Sequence, residues 1–193
     1  MSMKEVQDGA RRRGSAGKSV AREIALVGLA VAIITVCAWT TLPVLTVPFT
    51  LQTLGVALIG GVLGWKRGLA SVAVYILLGL IGVPVFAGFK AGVGALLNVT
   101  GGYIIGFFFL ALVPALFKFI PVQNKWGRAG VFYAGAAVGM AICYLFGTVW
   151  FVYLAKCTFY HALAVCVLPY LLPDAVKFVV SSLLTVRLEK VVK

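Results

Sequence analysis

Four long stretches of this 193-residue chain carry no Asp, Glu, Lys or Arg: residues 24–65, 68–89, 91–117 and 129–155. A soluble domain typically has about 25% charged residues. Here charged residues make up 11% and hydrophobic residues 62%. A helix needs roughly 20 apolar residues to cross about 30 Å of hydrocarbon. The first stretch is long enough for two crossings, and Pro43 and Pro48 divide it where a turn would fall. The other three give one crossing each, and a last helix can run from Pro173 to Val192. The expected architecture is all-α and integral to a membrane. Its six transmembrane helices are expected over 22–42, 49–65, 68–83, 101–120, 128–151 and 173–192.

Charge orients these helices. Lys4, Arg11, Arg12, Arg13, Lys18 and Arg22 precede the first helix, and Lys66 and Arg67 separate the second from the third. Lys118, Lys125 and Arg128 lie between the fourth and fifth, and Arg187, Lys190 and Lys193 close the chain. With six crossings all of these share one face, and only Lys90, Lys156 and Lys177 lie at or near the other. Basic residues collect on the cytoplasmic side, so both termini are expected there. The net charge of +12 is thereby explained without nucleic acid. Residues 1–20, rich in Gly, Ser and Arg, read as a disordered basic cytoplasmic tail ahead of a six-helix domain over 21–193. They lack the apolar core of a signal peptide.

The two longer outer connections differ from ordinary loops. Residues 84–100, PVFAGFKAGVGALLNVT, combine Pro and several glycines with apolar side chains. Such a segment is either an interfacial hairpin resting on headgroups or a lid folded over a cavity between helices. The stretch 158–168 can form a short surface helix. The four cysteines, Cys37, Cys143, Cys157 and Cys166, show no CxxC spacing, and the single His161 cannot complete a metal cluster with them, so no metal is expected. Cys157 and Cys166 can pair, but nothing forces it. The chain has no GxxxxGK[ST], HExxH or GxSxG motif and no paired carboxylates. Catalytic residues are therefore not expected, and any ATP-driven step belongs to a partner.

Asp174 is the one carboxylate expected within the hydrophobic body, and Lys177 follows three residues later on the same helix face. A charge at this depth faces a cavity or a partner. Either the two residues neutralise each other, or both point into a cavity. In the second case Asp174 accepts N–H donors from a ligand while Lys177 holds a ligand anion or orients Asp174. Thr50 and Gln52 open the second helix at the same outer depth, and Asn98 and Thr100 precede the fourth. Helix N-termini offer free N–H groups to a carbonyl or an anion, although Thr and Asn are also ordinary caps. Phe86, Tyr103 and Trp150 lie near the same boundary, with Trp39, Phe49 and Tyr153. Such aromatics form an interfacial belt or wall a pocket for a flat heterocycle. On helix 1, Gly28 and Ala32 are four residues apart, as are Ala21 and Ala25. That spacing suits close helix packing, within this chain or against a partner membrane protein.

Several ordered motifs together resemble the BioY family, the biotin-specific S component of energy-coupling factor transporters. They are Val47-Pro48-Phe49-Thr50-Leu51-Gln52-Thr53, GVALIGGVLGWKRG over 55–68, Gly82-Val83-Pro84-Val85-Phe86-Ala87-Gly88, and Thr100-Gly101-Gly102-Tyr103-Ile104-Ile105-Gly106-Phe107. Pro173-Asp174 with Lys177 resembles the family's acidic site on its last helix. One departure is Asn98-Val99, where the family usually has Gly-Pro ahead of Thr-Gly-Gly-Tyr. It changes loop flexibility and can place an extra amide in the site.

The resemblance implies a six-helix subunit of a prokaryotic plasma membrane that binds biotin as transported substrate and needs no cofactor. Its implied partners are a membrane T component and two cytoplasmic ABC-type ATPases, within the lipid bilayer. It also implies that Ala25, Gly28 and Ala32 belong to the docking surface. Biotin presents two ureido N–H donors, a carbonyl, an apolar bicycle and a carboxylate tail. Asp174 suits the donors, Asn98, Thr50 and Gln52 suit the carbonyl, and Lys177 can meet the carboxylate.

Overall fold

The computed structural model describes the backbone of residues 3–42 and 47–192 and the side chains of residues 20–42 and 47–190. The elements, in order, are α1 (Met3–Trp39), β1 (Thr41–Leu42), β2 (Phe49–Thr50), α2 (Gln52–Leu63) and α3 (Trp65–Leu80). A 3₁₀ turn at Ala87–Phe89 and the short α4 (Val93–Leu96) follow. Then come α5 (Gly101–Phe117), α6 (Lys125–Ala155), α7 (Phe159–Cys166) and α8 (Leu168–Val192).

Each expected helix is present, with shifted ends. Gly64 alone separates α2 from α3, with a φ of +81° that a side chain would strain. Asn124 caps α6 by accepting the Trp126 N–H at 3.1 Å, and Thr158 caps α7 by accepting the His161 N–H at 3.4 Å. Pro169 sits in the first turn of α8, where its missing N–H costs nothing. The short helix expected within 158–168 is α7.

Three expectations need correction. The fold is not purely α: β1 and β2 pair antiparallel, Thr41 opposite Thr50 and Leu42 opposite Phe49. Two-residue strands are too short to show a period of two in sequence. The basic segment 1–20 is not irregular from Met3 onward, because α1 runs through it. The apolar helix that follows supplies the nucleus, and Ala, Arg, Lys and Glu then extend it readily. Asp174 is also not the one buried carboxylate, since Glu189 is 4% exposed. Pro43 and residues 44–46 lie outside the described residues.

Polarity is arranged as in a membrane protein. Ile24, Leu29, Leu77, Ile81, Leu145 and Leu172 face outward, while Asp174, Lys177, Ser181, Thr185 and Glu189 are buried on the inward face of α8. An exposed apolar girdle around a partly polar interior suits lipid rather than water. Among the described residues, Val20–Trp39 and Lys125–Ala155 are each long and apolar enough to cross a membrane. Phe159–Cys166 with Leu168–Lys190, bent by 44°, makes a third if read as one broken span. Gln52–Leu63 and Gly101–Phe117 are shorter apolar helices.

The interior is packed backbone to backbone. A Cβ at Gly102 of α5 would lie 2.3 Å from the Cβ of Trp150, and one at Gly147 of α6 would lie 2.3 Å from the Tyr103 ring. Small residues here let α5 and α6 approach closely. This contact brings the start of α5 against the C-terminal half of α6. Helix α8 closes on α2 and α6 beside it. The candidate residues collect among these four helices.

Candidate functional site

Asp174 is 4% exposed and Lys177 6%. Isolated charges at this burial would cost several kcal/mol each, so their partners decide whether the arrangement is stable. Lys177 Nζ donates to Asp174 Oδ1 at 2.8 Å, across the i, i+3 spacing of α8. Thr53 Oγ1 donates to the same oxygen at 2.9 Å, and the Tyr144 hydroxyl donates to Oδ2 at 2.5 Å. The remaining capacity of Lys177 goes to the Thr50 carbonyl at 2.7 Å and Thr53 Oγ1 at 3.4 Å. Its ammonium also sits 4.0 Å from the centre of the Phe49 ring. The start of α2 therefore solvates the cation, while α2 and α6 solvate the anion. The result is an ion pair, neutral overall, held at the meeting of three helices.

The pair borders a cavity of about 90 Å³. Thr50 of β2, Gln52 and Thr53 of the α2 start, Thr100, Tyr103 and Ile104 of the α5 start, and Met140, Cys143 and Tyr144 of α6 line it with Tyr170, Asp174 and Lys177. Val47 and Pro48, which precede β2, and Ala87 of the 84–100 segment complete the wall. A carboxylate has roughly four lone-pair directions, and three donors reach Asp174, so Oδ2 retains one acceptor direction. Lys177 has three N–H donors and three oxygen acceptors around it. It holds Asp174 in place and has no spare proton for a further anion.

Gln52 lines the cavity, with its amide donating to the Tyr75 hydroxyl at 2.7 Å; Tyr75 in turn donates to the Val85 carbonyl at 3.0 Å. These two bonds tie Gln52 to the beginning of the 84–100 segment. Tyr103 shares a hydrogen bond with Thr148 at 3.3 Å.

Three expected site residues lie outside the cavity wall. Asn98 is exposed, its side-chain oxygen accepts the Val99 N–H at 2.7 Å, and it places no extra amide in the site. Trp150 donates its indole N–H to the Asn98 carbonyl at 3.0 Å and so anchors the far end of the 84–100 segment. Phe86 is 2% exposed and packs edge-on against Tyr75, over Gly79, where a Cβ would meet its ring at 2.0 Å. At the near end Trp39 donates to the Pro84 carbonyl at 2.8 Å and stacks on Phe89. The 84–100 segment is thus pinned at both ends by indoles, with φ of +68° at Gly88 and +83° at Gly92 between them.

Thr53, Tyr144 and Tyr170 also line the cavity, although no sequence motif singles them out. A Tyr or Thr inside an apolar helix carries no signal of its own. Counting i+3 and i+4 neighbours from Thr50 flags Thr53 only.

Ala25, Gly28 and Ala32 are exposed on α1, and the space where a Gly28 side chain would sit is open. All four cysteines are free. Among the described residues no group of three or more His, Cys, Asp or Glu gathers around one point.

The chain matches the BioY family over residues 5–193. It is 38% identical over 170 residues to a probable biotin transporter BioY of Pyrococcus horikoshii, covering 88% of this chain and 97% of that one. It is also 38% identical over 174 residues to the biotin transporter BioY of Thermotoga maritima, covering 88% and 96%. The crystal structure of the S-component for biotin from an ECF-type ABC transporter superposes with a TM-score of 0.78 at 25% identity, covering 90% of this chain and 93% of that chain.

Proposed function

The chain belongs to the BioY family, and we propose that it captures biotin at the Asp174 cavity as the substrate-binding subunit of an energy-coupling factor importer. It is a transport subunit rather than an enzyme. The observation that carries the reading is the acceptor direction left on Asp174 Oδ2, which opens on a cavity walled largely by apolar groups. A ureido N–H is a donor of the right kind for that oxygen. Thr100 and Tyr103 offer hydroxyls to the ureido carbonyl across the cavity, and Ile104, Phe107 and Met140 suit the bicycle. Lys177 orients the carboxylate, so the carboxylate tail of biotin points toward the mouth.

Small-molecule sites usually measure about 300–1,000 Å³. The cavity measures about 90 Å³. Binding therefore requires its wall to move. The walls best suited to that are Val47-Pro48 and the segment 84–100, which contributes Ala87 and holds Gly88 and Gly92 between its two indole anchors. In our reading 84–100 is a lid that opens to admit biotin and closes over it.

We read six crossings: α1, α2 with the β1–β2 hairpin above it, α3, α5, α6 and α8. At about 1.5 Å per residue the 12-residue α2 covers roughly 18 Å. The hairpin then supplies the rest of the depth. Clustering of Lys66, Arg67, Lys118, Lys125, Arg128, Arg187 and Lys190 at one end supports cytoplasmic termini in a prokaryotic plasma membrane. The exposed Ala25, Gly28 and Ala32 are the proposed docking surface for a membrane T component, which couples the subunit to two cytoplasmic ATPases.

The test is calorimetric titration of biotin into the detergent-purified chain and into Asp174→Asn. Loss of on the order of 100-fold or more in affinity is expected, as for removal of a buried charged acceptor. Equal affinity in the two proteins would refute the assignment. Mass spectrometry of small molecules released from the purified parent identifies the ligand independently.

A further inference from the structure

At the inner end, α6 and α8 form a groove of about 520 Å³ that the transport reading does not use. Its rim holds Lys125 from the first turn of α6 and Arg187 and Lys190 from the last turns of α8, and no acid lines it. None of the three cations has a carboxylate partner among the described residues. The basic residues one face away are arranged differently: Lys118 and Arg128 both pair with the buried Glu189. Lys125 is also at the positive end of the α6 dipole, where a cation is disfavoured. Three like charges around one hollow repel, and an anion between them would offset that cost.

The rest of the groove indicates which anion. Along α8 the lining runs from Leu183 and Val186 to Arg187 and Lys190. Along α6 it runs from Ala129 back to Trp126 and Lys125. Both helices thus change from apolar to basic in the same direction, toward the end of the molecule. Trp126 is 75% exposed at the transition, where a membrane-interface indole belongs. The gradient matches an amphiphile with an acyl chain and a negatively charged phosphate head.

We infer that this groove binds an anionic phospholipid, its headgroup phosphate held by Lys125, Arg187 and Lys190 and its acyl chain lying along Leu183 and Ala129. The inference is independent of biotin binding at the opposite end, so either can fail alone.

Native mass spectrometry of the full chain in detergent with equimolar phosphatidylglycerol and phosphatidylcholine tests it. The parent should retain phosphatidylglycerol in preference. Each neutralised cation should reduce that preference about fivefold, and Lys125→Gln/Arg187→Gln/Lys190→Gln on the order of 100-fold. Neutralising Lys66 and Lys156, which lie outside the groove, should leave it unchanged. A triple variant that keeps the preference would overturn the proposal. So would displacement of the lipid by millimolar inorganic phosphate, which would assign the cations to a free anion. A second measurement needs no charge change: brominated phosphatidylglycerol should quench tryptophan emission more than brominated phosphatidylcholine, and Trp126→Phe should abolish the difference. Equal quenching by both lipids in the parent would count against the groove.

Discussion

Asp174 and Glu189 are both 4% exposed on the inward face of α8, separated by about 22 Å at 1.5 Å per residue. Both are paired and both border a hollow, of about 90 Å³ and 330 Å³ respectively. Their partners differ. Asp174 takes its cation from its own helix and its other donors from hydroxyls of α2 and α6. Glu189 takes two cations from other helices, Lys118 at the end of α5 and Arg128 in α6, and Lys118 also donates to the Gly61 carbonyl of α2. An ion pair within one helix does not by itself restrain that helix against its neighbours. It leaves a neutral surface with an acceptor facing the cavity. A carboxylate shared by two cations from two helices ties the bundle together and spends its charge on structural partners. Burial and pairing alone therefore do not separate a binding carboxylate from a structural one. The origin of the cations does.

The sharpest way to break this comparison is to remove each charge in turn. Asp174→Asn leaves Lys177 buried without its counter-ion, which should cost about 3–5 kcal/mol of stability as well as biotin affinity. The double variant Asp174→Asn/Lys177→Met should recover most of that stability, because an uncharged pair of similar volume replaces a desolvated, unpaired cation, yet should not recover binding. Thermal unfolding in detergent with parallel calorimetry reads both quantities. If binding returned with stability, Asp174 would be structural and the contrast with Glu189 would disappear.

Glu189→Gln is the converse. Its partners Lys118 and Arg128 retain 26% and 38% side-chain exposure, so water can partly replace the lost carboxylate. A loss of about 1–3 kcal/mol is expected, with biotin affinity within about twofold of the parent because the residue lies some 22 Å from the cavity. A large fall in affinity at constant fold would show that the inner end communicates with the site.

Tyr144→Phe sharpens the comparison at the outer end. It removes the donor to Asp174 Oδ2 and leaves the ring in place. A hydrogen bond to a charged group is worth about 1.5–3 kcal/mol. The variant also frees a second lone-pair direction toward the cavity, which a ureido donor can use, so the net change should be smaller, an affinity about 3–10-fold below the parent. Calorimetry decides. Unchanged affinity would mean that the ligand approaches Asp174 from elsewhere.

How much of this was legible in the sequence follows from the same contrast. Asp174 and Lys177 stood out because they interrupt an apolar run, and Thr50 and Gln52 because they open a helix at the same depth. Glu189 was passed over because Arg187 and Lys190 flank it and make the segment read as a solvated inner end. Its burial depends on the rotation of α8 against α5 and α6, a tertiary fact. Asn98 and Trp150 share the depth of the site but lie outside its wall, since depth is readable from sequence while the course of the loop at Asn98 and the rotation of α6 at Trp150 are set by tertiary packing. Tyr144 and Tyr170 looked like packing for the same reason as any aromatic in an apolar helix. The β1–β2 hairpin and the helical course of the basic segment were hidden by brevity and by composition.

The stretch of α8 between the two carboxylates gives the mildest test. Ser181 Oγ and Thr185 Oγ1 are buried there without a hydrogen-bond partner. A buried hydroxyl left unpartnered costs about 1–3 kcal/mol relative to one that is satisfied, and Ala removes the group while leaving little volume to collapse. If this stretch is passive, Ser181→Ala should raise stability by up to about 1 kcal/mol and change biotin affinity less than twofold. Uptake of labelled biotin by cells carrying the variant and the energising partners should be equally unaffected. A variant that binds biotin and folds as the parent does, but no longer delivers the vitamin, would mean that the polar line from Asp174 to Glu189 takes part in transport. The two ends of α8 would then be parts of one device, and the division of labour between a binding carboxylate and a structural one would have to be abandoned.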